Sequence, residues 1–167
     1  MSIVMLEVEV RFYQSHDLAS TVDCFAQLLS HYSPKKIFIK SVLKEKIDEQ
    51  FADDHSTLKL IVALDQKKVI GLATTAELFP AMDDTTQLFI KELFVKESYR
   101  RRGVATTMMK FIAHYALENG MNRIDWLVDS DNEAAMSFYR RFAGDPISNK
   151  SVFRLENEAL QKFNYSQ

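Results

Sequence analysis

The run Arg100-Arg101-Arg102-Gly103-Val104-Ala105-Thr106 is the stretch best equipped for chemistry. It follows a short apolar segment rich in β-formers, Leu88 to Val95. It precedes a segment in which Val104, Met108, Phe111, Ile112 and Tyr115 recur on one helical face. A strand, a basic loop and a helix start make an anion-binding layout. The first N–H groups of a helix lack intrahelical partners, and the helix dipole places about half a positive charge there. Gly103 and Ala105 keep side chains out of the way, so a phosphate can approach the main chain. Two familiar phosphate motifs are excluded. No G-x-x-x-x-G-K-[ST] run occurs, and glycines at only 71, 103, 120 and 144 cannot form G-x-G-x-x-G. A solvated basic turn is the competing reading of the same residues.

The order Arg100-x-x-Gly103-x-Ala105 after a strand resembles the Q/R-x-x-G-x-G/A signature with which the GNAT family of N-acetyltransferases binds the pyrophosphate of acetyl-CoA. A second match lies downstream. Asn132-Glu133-Ala134-Ala135-Met136-Ser137-Phe138-Tyr139 is similar to the family's N-x-x-A-x-x-[LF]-Y helix. The resemblance implies acetyl transfer from acetyl-CoA to an amine that attacks the thioester directly. It implies a cofactor site in which Leu93, Phe94 and Val95 offer main-chain groups to the pantetheine arm and Arg100, Arg101, Arg102, Gly103, Val104, Ala105 and Thr106 cradle the pyrophosphate. Asn132 either bonds the pantetheine or caps its own helix.

Such a reaction needs a free amine and a stabilised thiolate. A lysine-like amine has a pKa of about 10.4, so near neutral pH roughly one molecule in a thousand is uncharged, a deficit of roughly 4 kcal/mol. Glu92 is the candidate that binds the ammonium or takes its proton through water. The alternative is a surface carboxylate paired with Lys91. Because neighbours on a strand point to opposite faces, only one of Lys91 and Glu92 is expected in the cleft. The resemblance gives Tyr139 the departing sulfur. Tyrosine's pKa of about 10 exceeds the roughly 8.5 of a thiol, so a hydrogen bond is favoured over full proton transfer. Tyr32 is a candidate lining of the amine pocket, with ordinary packing as its alternative.

Substrate class is less sharply marked. Trp126-Leu127-Val128 leading to Asn132-Glu133 resembles the diamine and thialysine acetyltransferase branch, which carries adjacent acids where this chain has Lys91-Glu92. Lys91 removes one carboxylate, and Ser33-Pro34-Lys35-Lys36 is basic, so a single amino group is expected rather than a polyamine. Glu77, Asp83, Asp84 and Glu92 remain to attract one ammonium. A protein or peptide amine and a non-catalytic acyl-CoA-binding module are the alternatives.

Around these residues the pattern predicts β-α-α-β-β-β-α-β-α-β. The strands are Leu6–Tyr13, Leu58–Leu64, Val69–Phe79, one ending at Val95, Ile124–Val128 and Ser151–Leu155. Asp17 is expected to cap the first helix, a polar turn at Asp65–Lys68 to join two strands, and Asn119-Gly120 to end the cofactor helix. The expected fold is α+β: a single GNAT-like domain over 1–167 with a mixed twisted sheet of about six to seven strands. Ser151–Leu155 and Glu156–Phe163 are a candidate homodimer interface or, for the latter, a short capping helix.

Bulk properties narrow the partners. With 47% hydrophobic and 26% charged residues and a net charge of −2, the chain is an ordinary globular one, with no nucleic-acid face expected. Cys24 is alone, and His16, His31, His55 and His114 lack metal-ligand spacing, so neither a disulfide nor a metal is expected. The early charges Glu7, Glu9 and Arg11 argue against a signal peptide or membrane span, and a cytoplasmic location is expected.

Overall fold

The computed structural model describes residues 7–53, 55–81 and 84–165. Contacts divide the chain into two compact units, Met1–Leu127 and Val128–Gln167.

In the first unit, β1 (Glu9–Phe12), β2 (Leu58–Asp65), β3 (Lys68–Leu78), β4 (Gln87–Val95) and β5 (Ile124–Trp126) form a sheet in that spatial order. Every neighbouring pair is antiparallel except β4 and β5, which run parallel. A parallel pair needs a crossover, and helix α3 (Val104–Glu118) supplies it. The β2–β3 turn carries Gln66 and Lys67 at φ 47° and 66°, the left-handed pair that a two-residue hairpin turn demands.

Helices α1 (Leu18–Tyr32) and α2 (Lys40–Phe51) cover one face. Val22, Cys24 and Leu28 of α1 and Ile47 of α2 meet Leu60, Val62, Leu64, Leu72 and Phe94 there. Burial pushes the Cys24 thiol up to about 12, so it stays protonated and serves as core. The other face lies under α3, which buries Val104, Met108, Ile112 and Ala116. Phe12 stacks edge-on against Phe111 and Tyr115. Gly71 lets α3 come close: a Cβ there would lie 2.9 Å from Phe94 O and 3.2 Å from the Met108 sulfur.

Four expectations are corrected. Among the described residues the sheet has five strands, not six to seven. Ser151–Leu155 forms no strand; Phe153 is 93% exposed, and no neighbouring strand supplies the pairing that β-propensity alone cannot replace. Asp17 stands before α1 but makes no capping bond to it. Its carboxylate is taken by the Arg11 guanidinium at 2.7 and 2.9 Å, a bidentate pair stronger than a neutral cap. The expected first strand is shortened to Glu9–Phe12, and its Leu6 lies outside the described residues.

The second unit contains α4 (Glu133–Ala143) and α5 (Asn157–Tyr165). Asn132 caps α4, its side chain accepting from Ala135 N at 3.1 Å, and Gly144 at φ 75° follows the helix's end. The Glu156–Phe163 segment is mostly helix α5.

Candidate active site

Strand β4 departs from regular pleating at one residue. Thr74 of β3 lies opposite Glu92 and Thr75 lies opposite Ile90, which leaves Lys91 without a partner across the ladder. This is a β-bulge, and it reverses the faces of the residues on either side. Ile90 is buried on the α3 side, whereas Glu92 turns to the α1 side. On a regular strand residues 90 and 92 would share a face.

The bulge brings together residues the sequence kept apart. Tyr32, the last residue of α1, donates its hydroxyl to Glu92 Oε2 at 2.7 Å. Lys91 Nζ donates to Glu92 Oε1 at 2.7 Å. Lys91 and Glu92 therefore do not point apart as simple alternation predicts. Glu92 is largely sheltered, with its side chain 18% exposed, while Lys91 is 71% exposed. Glu77 is different. It lies on the α3 face, where it accepts from Tyr115 at 2.6 Å, so it does not join Glu92 in attracting an ammonium. Burial, and then this bond, raise the Tyr115 phenol to about 12. Asp84 is exposed in the β3–β4 loop, and Asp83 lies outside the described residues.

Beyond Ile90 the β4–β5 ladder stops. Its three register pairs are Leu88 with Ile124, Phe89 with Asp125 and Ile90 with Trp126. Leu93, Phe94 and Val95 remain paired to β3 on their other side. The Val95 carbonyl accepts from Arg100 Nε at 2.9 Å, and that guanidinium lies 5.7 Å from the Phe94 ring centre. Arg100 is thereby tied to the end of β4, and Arg102 stacks on Tyr99 at 5.5 Å.

The loop that follows is built for exposed main chain. Arg101 at φ 59° and Gly103 at φ 84° are both left-handed, and Gly103 is the residue before α3. No side chain caps that helix start. A Cβ on Gly103 would meet nothing within 4 Å, so the protein's own packing does not demand a glycine. The backbone conformation does. Val104 puts its side chain in the core, which leaves its amide and those of Ala105 and Thr106 at the open helix start.

A cavity of about 760 Å³ adjoins this loop between α1 and the end of β4. Asp23, Gln27, Ser30 and His31 of α1, Lys40, Phe94, Lys96 and Arg100 are among its walls. None of these α1 residues stands out in the sequence as a candidate for this cavity, because polar side chains at i, i+4 and i+7 look like an ordinary solvated stripe. In the second unit, Tyr139 makes edge-on contacts with Phe138 and Phe142, and burial raises its phenol above the usual value.

The chain belongs to the acetyltransferase (GNAT) family, whose model matches residues 25–144. Among curated proteins it is 24% identical over 132 residues to L-ornithine N5-acetyltransferase NATA1 of Arabidopsis thaliana, covering 79% of this chain and 58% of that protein. It is 26% identical over 78 residues to thialysine N-epsilon-acetyltransferase of Bos taurus, covering 45% and 46%. The chain thus spans about half the length of the curated relatives it matches. An integron cassette protein from the mobile metagenome of V. cholerae superimposes with a TM-score of 0.86 at 31% identity, over 95% of this chain and 98% of that one. The aminoglycoside N-acetyltransferase AAC(6')-Iy, solved with CoA, shares the fold at a TM-score of 0.73 and 16% identity, over 92% and 98%. Among the described residues no helix is long and apolar enough to cross a membrane.

Proposed function

We propose that this protein transfers an acetyl group from acetyl-CoA to a primary amine of a small molecule. The observation that carries the reading is the sheltered Glu92 carboxylate, turned by the bulge toward Tyr32 on the strand that leads into the Arg100–Thr106 loop. The curated relatives act on ornithine and thialysine by name, which supports an amine acceptor.

The cofactor fits on three counts. The uncapped start of α3 offers unpartnered amides, Gly103 leaves open space, and the β4 edge beyond Ile90 is free of β5. Leu93, Phe94 and Val95 hold the pantetheine by strand addition. Arg100 to Thr106 hold the pyrophosphate, chiefly through backbone N–H groups. When bound, acetyl-CoA supplies the thioester whose carbonyl carbon is attacked.

Glu92 binds the incoming ammonium and, directly or through water, takes the proton that the amine must lose. The amine nitrogen forms the new C–N bond, the C–S bond breaks, and the sulfur leaves with the electron pair. Tyr139 donates a hydrogen bond to that sulfur. Its raised pKa makes full proton transfer still less favourable, so the hydrogen bond is its contribution. Tyr32 holds Glu92 in place. Asn132 serves as the cap of α4.

The same reading pairs two copies of the chain through the C-terminal segment, where Val152, Phe153 and Leu155 are exposed. Sedimentation velocity measures it directly.

Release of free CoA from acetyl-CoA is the direct test, run over monoamines, polyamines, amino acids, aminoglycosides and a lysine peptide. Turnover on small amines supports the proposal, and turnover on the peptide alone moves the substrate to protein. Tight binding of acetyl-CoA without any turnover makes the chain a binding module instead.

A further inference from the structure

A carboxylate that is to receive an ammonium needs an oxygen to offer it. Glu92 has two, and both are engaged: Oε2 by the Tyr32 hydroxyl and Oε1 by Lys91 Nζ, each at 2.7 Å. The two partners differ in kind. Tyr32 is a neutral donor that orients the group, whereas Lys91 is a full positive charge on a flexible four-carbon stem. It is there because the bulge leaves residue 91 unpaired and turns residue 92 to the same side.

We infer that Lys91 selects the acceptor by charge, admitting amines whose remainder is neutral or anionic and disfavouring those with a second ammonium. The inference rests on the acetyltransferase reading above. An incoming ammonium must share or take Oε1, and the displaced Lys91, 71% exposed, swings aside without leaving the site. A second cationic group on the acceptor then meets Lys91 within a few ångströms, where like charges cost on the order of tenfold in affinity. A carboxylate in that place is attracted instead. The loop after Tyr32 adds Lys35 and Lys36 and no acid before Lys40, so it supplies nothing to offset this bias.

The test compares the best acceptor from the amine panel with two homologues of equal chain length, one ending in an added ammonium and one in an added carboxylate. CoA release gives kcat/KM for each with the wild type, Lys91→Gln and Lys91→Glu, and thermal melting checks that the variants fold. The expected result is that the cationic-to-anionic ratio of kcat/KM rises about tenfold in Lys91→Gln and further in Lys91→Glu. These differences should shrink in about 1 M salt, where the screening length is about 3 Å. A ratio in Lys91→Gln within twofold of wild type overturns the role of Lys91 and leaves the acetyltransferase reading standing. Absence of CoA release by the wild type with every amine overturns that reading itself, and the present inference with it.

Discussion

Tyr32 and Glu92 lie 60 residues apart in the chain and 2.7 Å apart at their side-chain oxygens. One ends helix α1 and the other follows the bulge of β4, so the bond ties the helical layer to the strand that carries the proposed chemistry. A hydrogen bond to a charged group is worth about 1.5–3 kcal/mol net, and the exposure of Tyr32 places this one at the low end. Tyr32→Phe should therefore lower kcat/KM for the amine about tenfold and leave acetyl-CoA affinity unchanged. Glu92→Gln should cost about a hundredfold or more in the same quantity. Wild-type kinetics in both variants would remove the pair from the site.

Gly103 sits at φ 84° with open space where a side chain would be. Gly103→Val should cost about 1–2 kcal/mol of stability through its left-handed backbone. It should also raise the Kd of acetyl-CoA at least about tenfold, because the new side chain enters the space assigned to the phosphates. Titration calorimetry on the folded variant separates the two effects. An unchanged Kd contradicts the cradle.

Tyr139→Phe should reduce kcat about tenfold to a hundredfold with little change in KM for acetyl-CoA, since the bond to sulfur strengthens as the thiolate forms. Burial raises the phenol above its ordinary value of 10.0, so Tyr139 stays protonated through the assay range. It should therefore produce no alkaline fall in kcat below about pH 10. An unaltered rate in the variant excludes the role.

The Arg11–Asp17 pair should set part of the acid stability. Burial alone pushes the Asp17 carboxyl up, but the Arg11 guanidinium and the Gln14 amide together hold it below its ordinary value of 3.8. A depressed folded pKa gives stability that is present above about pH 4 and is lost as pH falls through the lower folded value. Asp17→Asn should cost about 2–3 kcal/mol at neutral pH, less than a fully buried pair because Arg11 keeps some solvent. Its loss of stability below pH 4 should be shallower than that of wild type. Urea melts from pH 2.5 to 7 measure both, and parallel curves would show that the pair is not the source.

Local chemistry made much of this protein readable from its sequence. The Arg100–Ala105 loop, the start of α3 at Val104, the end of α3 before Gly120, the Gln66-Lys67 turn and the α4 helix after Asn132 all rest on nearby residues. Glycine's tolerance of positive φ, the unpaired amides of a helix start and the period of apolar side chains act within a turn or two. The Ser151–Leu155 strand failed for the complementary reason. Its β-forming residues express a local preference, but a strand exists only where another strand supplies hydrogen bonds, and none pairs with it among the described residues.

Residue order alone was enough for the succession of strands and helices as far as α4 and for the residue types of the Arg100–Thr106 loop, since short-range sterics and periodicity suffice for both. Only the tertiary structure decided which face Glu92 uses, that Lys91 joins it rather than opposing it, and that Tyr32 rather than Glu77 is its neighbour. Those outcomes depend on one extra residue in the β3–β4 register. A bulge shifts every later side chain to the other face, and register is settled by the packing of whole strands and helices, not by the residues at the bulge alone.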